Sequence, residues 1–288
     1  MTKKVCVITG AAGGLGFGAA KIMGEKYKLL LSDVNSEKLD NALAELAGMG
    51  MEAEGMLIDV SDRAQVTAMA EKAKSMGTIA SVIHLAGLTG LGEAEPTFRV
   101  NALGTIFINE EFYKVMEPGS AIMDIGSSAG HMIPKENWPV DLFKLSRNED
   151  KEEFCEKMLA HFVPTVPPEY AGGMAYTYSR CFIHWYVMDC TYKFGLKGIR
   201  VVSVAPGIIE TEQSKIDVAN YAGLGARLTY VAIGQRLGRI EECAFLISTL
   251  VDERNTYLTG VIIPCDGGEI ASGFAGQDEP RSEIADTL

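Results

Sequence analysis

Tyr176 and Arg180 stand four residues apart in the run Tyr176-Thr-Tyr-Ser-Arg180. On a helix that spacing puts both side chains on one face, one turn apart. A cation beside a phenol favours the phenolate and draws its pKa down from about 10. A phenol tuned in this way can take a proton from an alcohol or return one to a carbonyl. Ser127, in Gly126-Ser127-Ser128-Ala129-Gly130, offers a hydroxyl that can hydrogen-bond the same substrate oxygen if the fold joins the two segments. The chemistry implied is proton transfer at a carbon-bound oxygen.

A second constellation lies near the start of the chain. Thr9–Gly16 reads TGAAGGLG, with Thr9, Gly10, Gly14 and Gly16 spaced T-G-x-x-x-G-x-G. It follows the apolar run Val5–Ile8 and precedes a helix-like stretch, Leu15–Lys26. Strand, glycine-rich turn and helix together bind a diphosphate: the glycines let the anion approach the backbone, and the helix start supplies free N–H groups and a positive dipole end. The bland alternative is a tight turn without a ligand. No Gly-Lys-Ser/Thr follows the glycines, which disfavours an ATP- or GTP-hydrolysing loop. Asp33 ends the next apolar run, Lys28–Ser32, where a carboxylate can accept both hydroxyl protons of an adenosine ribose. It would repel a 2′-phosphate, and the residues after it are Val34, Asn35 and Ser36, so the expected cofactor is NAD(H). The same Asp33 could also cap a helix over Ser36–Gly48.

Positioning these groups requires alternating strands and helices. Strands are expected at Val5–Ile8, Lys28–Ser32, Ala53–Ile58, Ile79–Leu85, Ala121–Ile125, Ile199–Val204 and Gly260–Pro264. Between them, helices are expected at Leu15–Lys26, Ser36–Gly48, Arg63–Met76, Pro96–Val115, Tyr176–Phe194 and Arg239–Leu250. The pattern predicts an α/β fold, a doubly wound parallel sheet of about seven strands covered on both faces. Ligands of such sheets lie beyond the carboxyl ends of the strands, and Gly10, Asp33, Asp59, Gly87 and Ser127 all fall at strand ends. His84, inside an apolar run, reads as a core histidine. The stretch Glu210–Gly234 reads as mobile, and Ala271–Leu288 as a fraying polar tail after one domain over 1–270. Residues 131–170 break the alternation with prolines and a charged helix over Asn148–His161. They are expected to cover the substrate at the ligand edge rather than to build the core.

The chain has 288 residues, is 47% hydrophobic and carries a formal net charge of −12. That supports one substantial core, and the absence of a basic run argues against nucleic-acid binding. The first strand begins within a few residues of Met1, leaving no room for a signal peptide, and no apolar run reaches membrane-spanning length. The six cysteines form no C-x-x-C pair and read as free thiols of a reducing compartment, with neither zinc nor another metal.

With these residues together, the chain resembles the short-chain dehydrogenase/reductase family over roughly its first 270 residues. Thr9-Gly10, Gly14, Leu15 and Gly16 resemble the cofactor loop, Asp33 the ribose acid, and Asp59-Val60 the pair that holds adenine. Ala86-Gly87 is similar to the end of the Asn-Asn-Ala-Gly turn, with His84-Leu85 in place of the asparagines. Asn101 resembles the helix asparagine of the catalytic tetrad, Ser127 the serine and Tyr176 the tyrosine. Pro206, Gly207, Ile209 and Thr211 resemble the segment that holds the nicotinamide amide, and Asp266-Gly267-Gly268 the closing strand.

The resemblance implies oxidoreduction of a secondary alcohol or ketone with NAD(H). Tyr176 would be the acid/base, Ser127 would polarise the substrate oxygen, and Asn101 would support a relay water. Arg180 stands where the family has lysine; it would tune Tyr176 and hold the ribose, but it does not deprotonate. A nucleotide-binding relative without turnover, acting as a regulator or scaffold, is the competing reading. The long gap between Ser127 and Tyr176 is similar to the bacterial 3α-hydroxysteroid dehydrogenase/carbonyl reductase branch, which implies a bulky apolar substrate. Met132, Ile133, Trp138, Tyr170 and Met174 are the candidate wall of its cavity. The expected protein is a cytoplasmic homo-oligomer, dimer or tetramer, acting on a small molecule without membrane or nucleic-acid partners.

Overall fold

Seven strands form one parallel sheet in the order β3-β2-β1-β4-β5-β6-β7. They are β1 Val5–Thr9, β2 Lys28–Asp33, β3 Ala53–Leu57, β4 Ile79–His84, β5 Ala121–Ile125, β6 Arg200–Pro206 and β7 Ile262–Cys265. The computed structural model describes residues 3–220, 233 and 236–274. Most of the stretch expected to be mobile, and the tail beyond Phe274, lie outside the described residues.

Successive side chains of a strand point to opposite faces, and the central strands are apolar on both. Val5 and Val7 join one core, Cys6 and Ile8 the other; Leu30 faces the first, Leu29 and Leu31 the second. Helices α1 Gly14–Gly24, α2 Ser36–Gly48 and α10 Ile240–Val251 cover the second core. Helix α3 Arg63–Met76, α5 Gly104–Val115 and α8 Ala171–Leu196 cover the first. Local capping explains two boundaries: Asn35 accepts from Lys38 N at the start of α2, and Asp62 accepts from Ala64 N and Gln65 N at the start of α3.

Two expected helices differ in detail, and two further helices appear. The stretch expected as one helix from Pro96 is α4 Ala94–Phe98, a π-turn over Arg99–Leu103, and then α5. The extra residue of a π-turn rotates the side chains that follow it and is a frequent device at functional sites. Helix α8 begins at Ala171 rather than Tyr176. Gly172 hides that start from sequence reading, but it is required there: a Cβ at Gly172 would lie 2.0 Å from Gly92 O. The supposed mobile stretch opens with a helix, α9 Glu212–Asn220, and a last helix, α11 Glu269–Phe274, follows β7.

The expectation that residues 131–170 only cover the substrate is corrected by their packing. The segment contains α6 Val140–Phe143 and α7 Lys151–Phe162. Its Phe143, Phe154 and Phe162 are fully buried. Phe154 packs tilted against Phe182 of α8 at 4.8 Å and against Phe98 of α4 at 5.6 Å, and Phe143 meets Phe182 edge-on at 5.5 Å. Lys151, nearly buried, places its Nζ on Glu110 Oε1 (2.8 Å), Ser146 O (2.7 Å) and Asn148 O (2.6 Å), using all three donors. Helix α8 is apolar around most of its circumference because sheet and insertion enclose it from opposite sides. Trp138 belongs to this packing and not to a cavity wall: it is 7% exposed, bonds Ile133 O through its indole N–H (2.9 Å) and faces Phe143.

Removing one of these rings should therefore unfold more than a surface lobe. Phe154→Ala is expected to cost about 3–5 kcal/mol, read as a lower denaturant midpoint in the transition of the whole chain. A loss below about 1 kcal/mol would return the insertion to the status of a detachable cover.

Candidate active site

The carboxyl ends of the strands converge on a cavity of about 630 Å³. Its lining includes Leu15 from α1, Leu85 after β4, Ser127 and Ser128 after β5, Met132, Tyr170, Met174 and Tyr176 from the insertion and α8, and Gly207, Ile209 and Thr211 after β6. Five separate sequence segments thus meet at one edge, as a parallel sheet requires. Met132, Tyr170 and Met174 reach the cavity as expected from sequence; Ile133 and Trp138 do not.

The glycine loop is held by side chains on both neighbouring strands. Gly10 has φ +63, and a Cβ there would stand 2.8 Å from Ala86 N. Asp33 at the end of β2 accepts Ala12 N–H (3.1 Å) on Oδ2 and Asn35 N–H (3.0 Å) on Oδ1. Each oxygen retains capacity for a further donor, so loop support and ribose binding are compatible. Helix α1 starts at Gly14 with no side-chain cap and no acidic residue in its first turn. Its orphan N–H groups and Leu15 at the cavity wall fit the diphosphate of a dinucleotide. Gly16 lies inside α1, where its place against Gly10 O leaves no room for a side chain. After β3, Asp59 accepts Ser61 N–H (2.9 Å), while Val60 is buried against Gly104.

Asn101 sits in the π-turn and is 1% exposed. Its Oδ1 accepts Leu88 N–H (2.8 Å), and its Nδ2 donates to Leu88 O (3.0 Å) and Ser179 Oγ (3.1 Å). Ser179 Oγ in turn donates to Tyr176 O (2.7 Å). Asn101 thereby ties the segment after Gly87 to the turn of α8 that carries Tyr176. Ser127 Oγ accepts Ala129 N–H (3.1 Å) and keeps its own proton for another partner.

Arg180 is 5% exposed and is not part of the cavity wall. Its guanidinium lies 4.8 Å from the Tyr176 ring centroid, and Nη1 donates to Ile125 O (2.8 Å). A Cβ at Gly87 would stand 2.9 Å from Arg180 Nη2. The sequence spacing of Tyr176 and Arg180 is thus realised, but the charge lies behind the phenol ring rather than in the open cleft.

Thr9 and His84 are register partners on β1 and β4. Thr9 Oγ1 accepts the N–H groups of Leu85 (3.2 Å) and Ala86 (3.1 Å), so its own proton goes to His84 Nδ1 at 2.7 Å. Burial, with the Arg180 charge as second cause, pushes the His84 imidazole down to about 3. His84 is a neutral structural residue, as its apolar setting suggested.

The cavity also contains residues that sequence reading missed: Leu85, Thr89, Gly90, Gly173, Thr177, Gln213, Ser214 and Asp217. A signal for the α9 members was present. Thr211 and Ser214 cap each other, Ser214 N–H donating to Thr211 Oγ1 (3.0 Å) and Thr211 N–H to Ser214 Oγ (2.9 Å). A hydroxyl pair at that spacing marks a helix start.

Two family descriptions match the chain: short chain dehydrogenase over residues 4–140, and Enoyl-(Acyl carrier protein) reductase over residues 165–269. The short-chain dehydrogenase/reductase bsc3 of Alternaria brassicicola is 27% identical over 273 residues, covering 94% of this chain and 97% of that protein. Versicolorin reductase 1 of Aspergillus parasiticus is 26% identical over 92% of this chain and 95% of its own length. Among solved structures, a short chain dehydrogenase of Burkholderia cenocepacia in complex with NADP superposes with a TM-score of 0.74 at 19% identity, over 93% of this chain and 98% of that one. The chain belongs to the short-chain dehydrogenase/reductase family, and its chemistry is oxidoreduction of a small molecule. Among the described residues no helix is long and apolar enough to cross a membrane.

The Thr9–His84 pair carries a pH dependence of stability. The folded imidazole titrates near 3 instead of 6.5, so its contribution is complete above pH 6.5 and is lost as pH falls toward 3. The loss approaches about 5 kcal/mol for a shift of that size. His84→Asn keeps an acceptor for Thr9 and removes the titration, so the acid limb of a stability–pH profile should become shallower. An unchanged acid limb would remove His84 from the account.

Proposed function

We propose that the protein interconverts a secondary alcohol and a ketone with NAD(H), acting on a bulky, largely apolar substrate. The observation that carries the reading is the shared cavity: Ser127 and Tyr176 both open on it, from β5 and α8, beside the loop suited to a diphosphate. Bound along Gly10–Gly16 and Asp33, the dinucleotide supplies the acceptor or donor of hydride at the substrate carbon.

The remaining work falls to the chain. In alcohol oxidation, Tyr176 phenolate takes the hydroxyl proton as the carbonyl forms; in reduction, the phenol returns it. Ser127 donates to the same substrate oxygen and holds it within reach of the ring. Arg180, fixed by Ile125 O, keeps a permanent positive charge at the Tyr176 ring. Because a guanidinium does not give up its proton, the Tyr176 proton leaves through water in the cavity rather than through an amine. Asn101 acts as a positioning residue through Leu88 and Ser179. The substrate class rests on Met132, Tyr170, Met174, Leu15 and Leu85, which give the wall its apolar character. Asp33 supports NAD(H) over NADP(H), because a 2′-phosphate would meet its carboxylate.

Tyr176→Phe should lower kcat by about 10²–10⁴-fold while NADH affinity stays nearly intact. In the same assays NADH should bind more tightly than NADPH. Wild-type kcat in the variant would place the acid/base elsewhere, and equal or tighter NADPH binding would overturn the cofactor assignment.

Arg180 supports a second reading, a nucleotide-binding relative without turnover. The two part in a variant series. An active enzyme keeps measurable turnover in Arg180→Lys and loses it in Arg180→Met. An inactive relative shows none in wild type and gains it in Arg180→Lys. A screen of secondary alcohols and steroids for NADH absorbance supplies the substrate for the comparison.

A further inference from the structure

Besides Ser127 and Tyr176, the cavity wall has a polar stretch on α9, formed by Gln213, Ser214 and Asp217. Asp217 stands three residues after Ser214 and four after Gln213, so the three share one helix face. Gln213 Nε2 donates to Asp217 Oδ1 (3.1 Å). An ionised carboxylate only accepts, so this bond sets the orientation of the amide and leaves Gln213 Oε1 as a second acceptor. Ser214 adds no donor: its proton goes to Thr211 O (2.9 Å), and its oxygen accepts Thr211 N–H (2.9 Å). The stretch therefore presents chiefly acceptors to the cavity.

Charge points the same way. Asp217 is the one carboxylate among the described residues of this wall, and no arginine, lysine or histidine accompanies it. Lys215, on the same helix, is paired with Glu212 (2.9 Å). Asp217 is half-buried, so solvent screens it less than an open surface charge. The formal net charge of −12 adds a field that draws cations and repels anions. A carboxylate or phosphate on a substrate would meet Asp217 with no counter-charge in the described wall.

We propose that Asp217 determines specificity, and that the substrate carries a protonated amine in addition to its alcohol or ketone. This rests on the functional reading above and adds the chemistry of the group remote from the reacting carbon. The ammonium donates to the open oxygen of Asp217 and to Gln213 Oε1, as charge-assisted hydrogen bonds. The apolar body lies along Leu85, Met132 and Met174, and the reacting oxygen meets Ser127 and Tyr176. Attachment at two points fixes which way round the body lies, and so which oxygen reaches the phenol.

Three acetylbiphenyls that differ only in the group on the far ring test the proposal: aminomethyl, methyl and carboxylate. With NADH, wild type should reduce the aminomethyl ketone with kcat/KM about tenfold above the methyl ketone, and the carboxylate ketone least well. Most of the difference should lie in KM. Asp217→Asn should bring the aminomethyl-to-methyl ratio close to one, and Asp217→Lys should invert the order. A ratio taken within one variant is insensitive to a general loss of activity or of folded protein. A wild type that prefers the methyl or carboxylate ketone, or a ratio unchanged in Asp217→Asn, would overturn the proposal. An altered NADH affinity with an unchanged ratio would also overturn it, by giving the carboxylate to the cofactor. If wild type reduces none of the three ketones nor any compound of the alcohol screen, the functional reading fails. Calorimetric binding of the same ketones to wild type and Asp217→Asn then still decides whether the cavity selects a cation.

Discussion

The seam between β1 and β4 governs the geometry of everything beyond it. Strand order turns outward in both directions from this pair, so the crevice for a ligand opens above it. The Thr9 hydroxyl closes the seam at its carboxyl end, taking two backbone N–H groups from Leu85 and Ala86 and giving its proton to His84. Gly10 then turns against Ala86 with no room for a side chain. The glycine loop and the Ala86-Gly87 turn are consequently two sides of one rigid joint. A neutral His84 does at this joint what a small amide would do, at the cost of burying an imidazole whose Nε2 has no partner among the described residues.

Helix α8 connects that joint to the rest of the chain. Its first turns carry Tyr176 and Arg180; its middle packs Phe182 and Trp185 against the insertion. The insertion is therefore part of the foundation of the site as well as part of its rim. Lys151, with its three acceptors, and the bidentate pair of Arg99 with Glu152 fasten it to α5 and to the π-turn. The same π-turn aims Asn101 at Leu88 and Ser179, so the outer lobe and the inner hydrogen-bond chain share one support.

Much of this was legible in the sequence, for definite physical reasons. Strands buried on both faces read as unbroken apolar runs, and caps such as Asp62 mark helix starts without tertiary information. The glycine loop, Asp33 and Ser127 each fall at an element boundary that those runs define. The insertion was misread because its charged residues dominate the composition of Asn148–His161, while Phe154 and Phe162 recur at a spacing that buries one face. Trp138 beside Met132 and Ile133 suggested a cavity wall; a bond from its indole N–H to Ile133 O turns it inward instead. Arg180 could be placed one turn from Tyr176 by counting. Its depth could not, because that depends on Ile125 O, a backbone atom of a strand far away in sequence.

An arginine behind the phenol, in place of an amine, also bears on which reagents could react at the site. An amine beside a bound ketone or aldehyde condenses with it to an imine and becomes the target of acylating and aldehyde reagents. A guanidinium stays protonated and does not undergo that condensation under ordinary conditions. Among the described residues the wall of the cavity around Tyr176 contains no lysine. A carbonyl compound entering the cavity would therefore meet no lysine amine in its described wall.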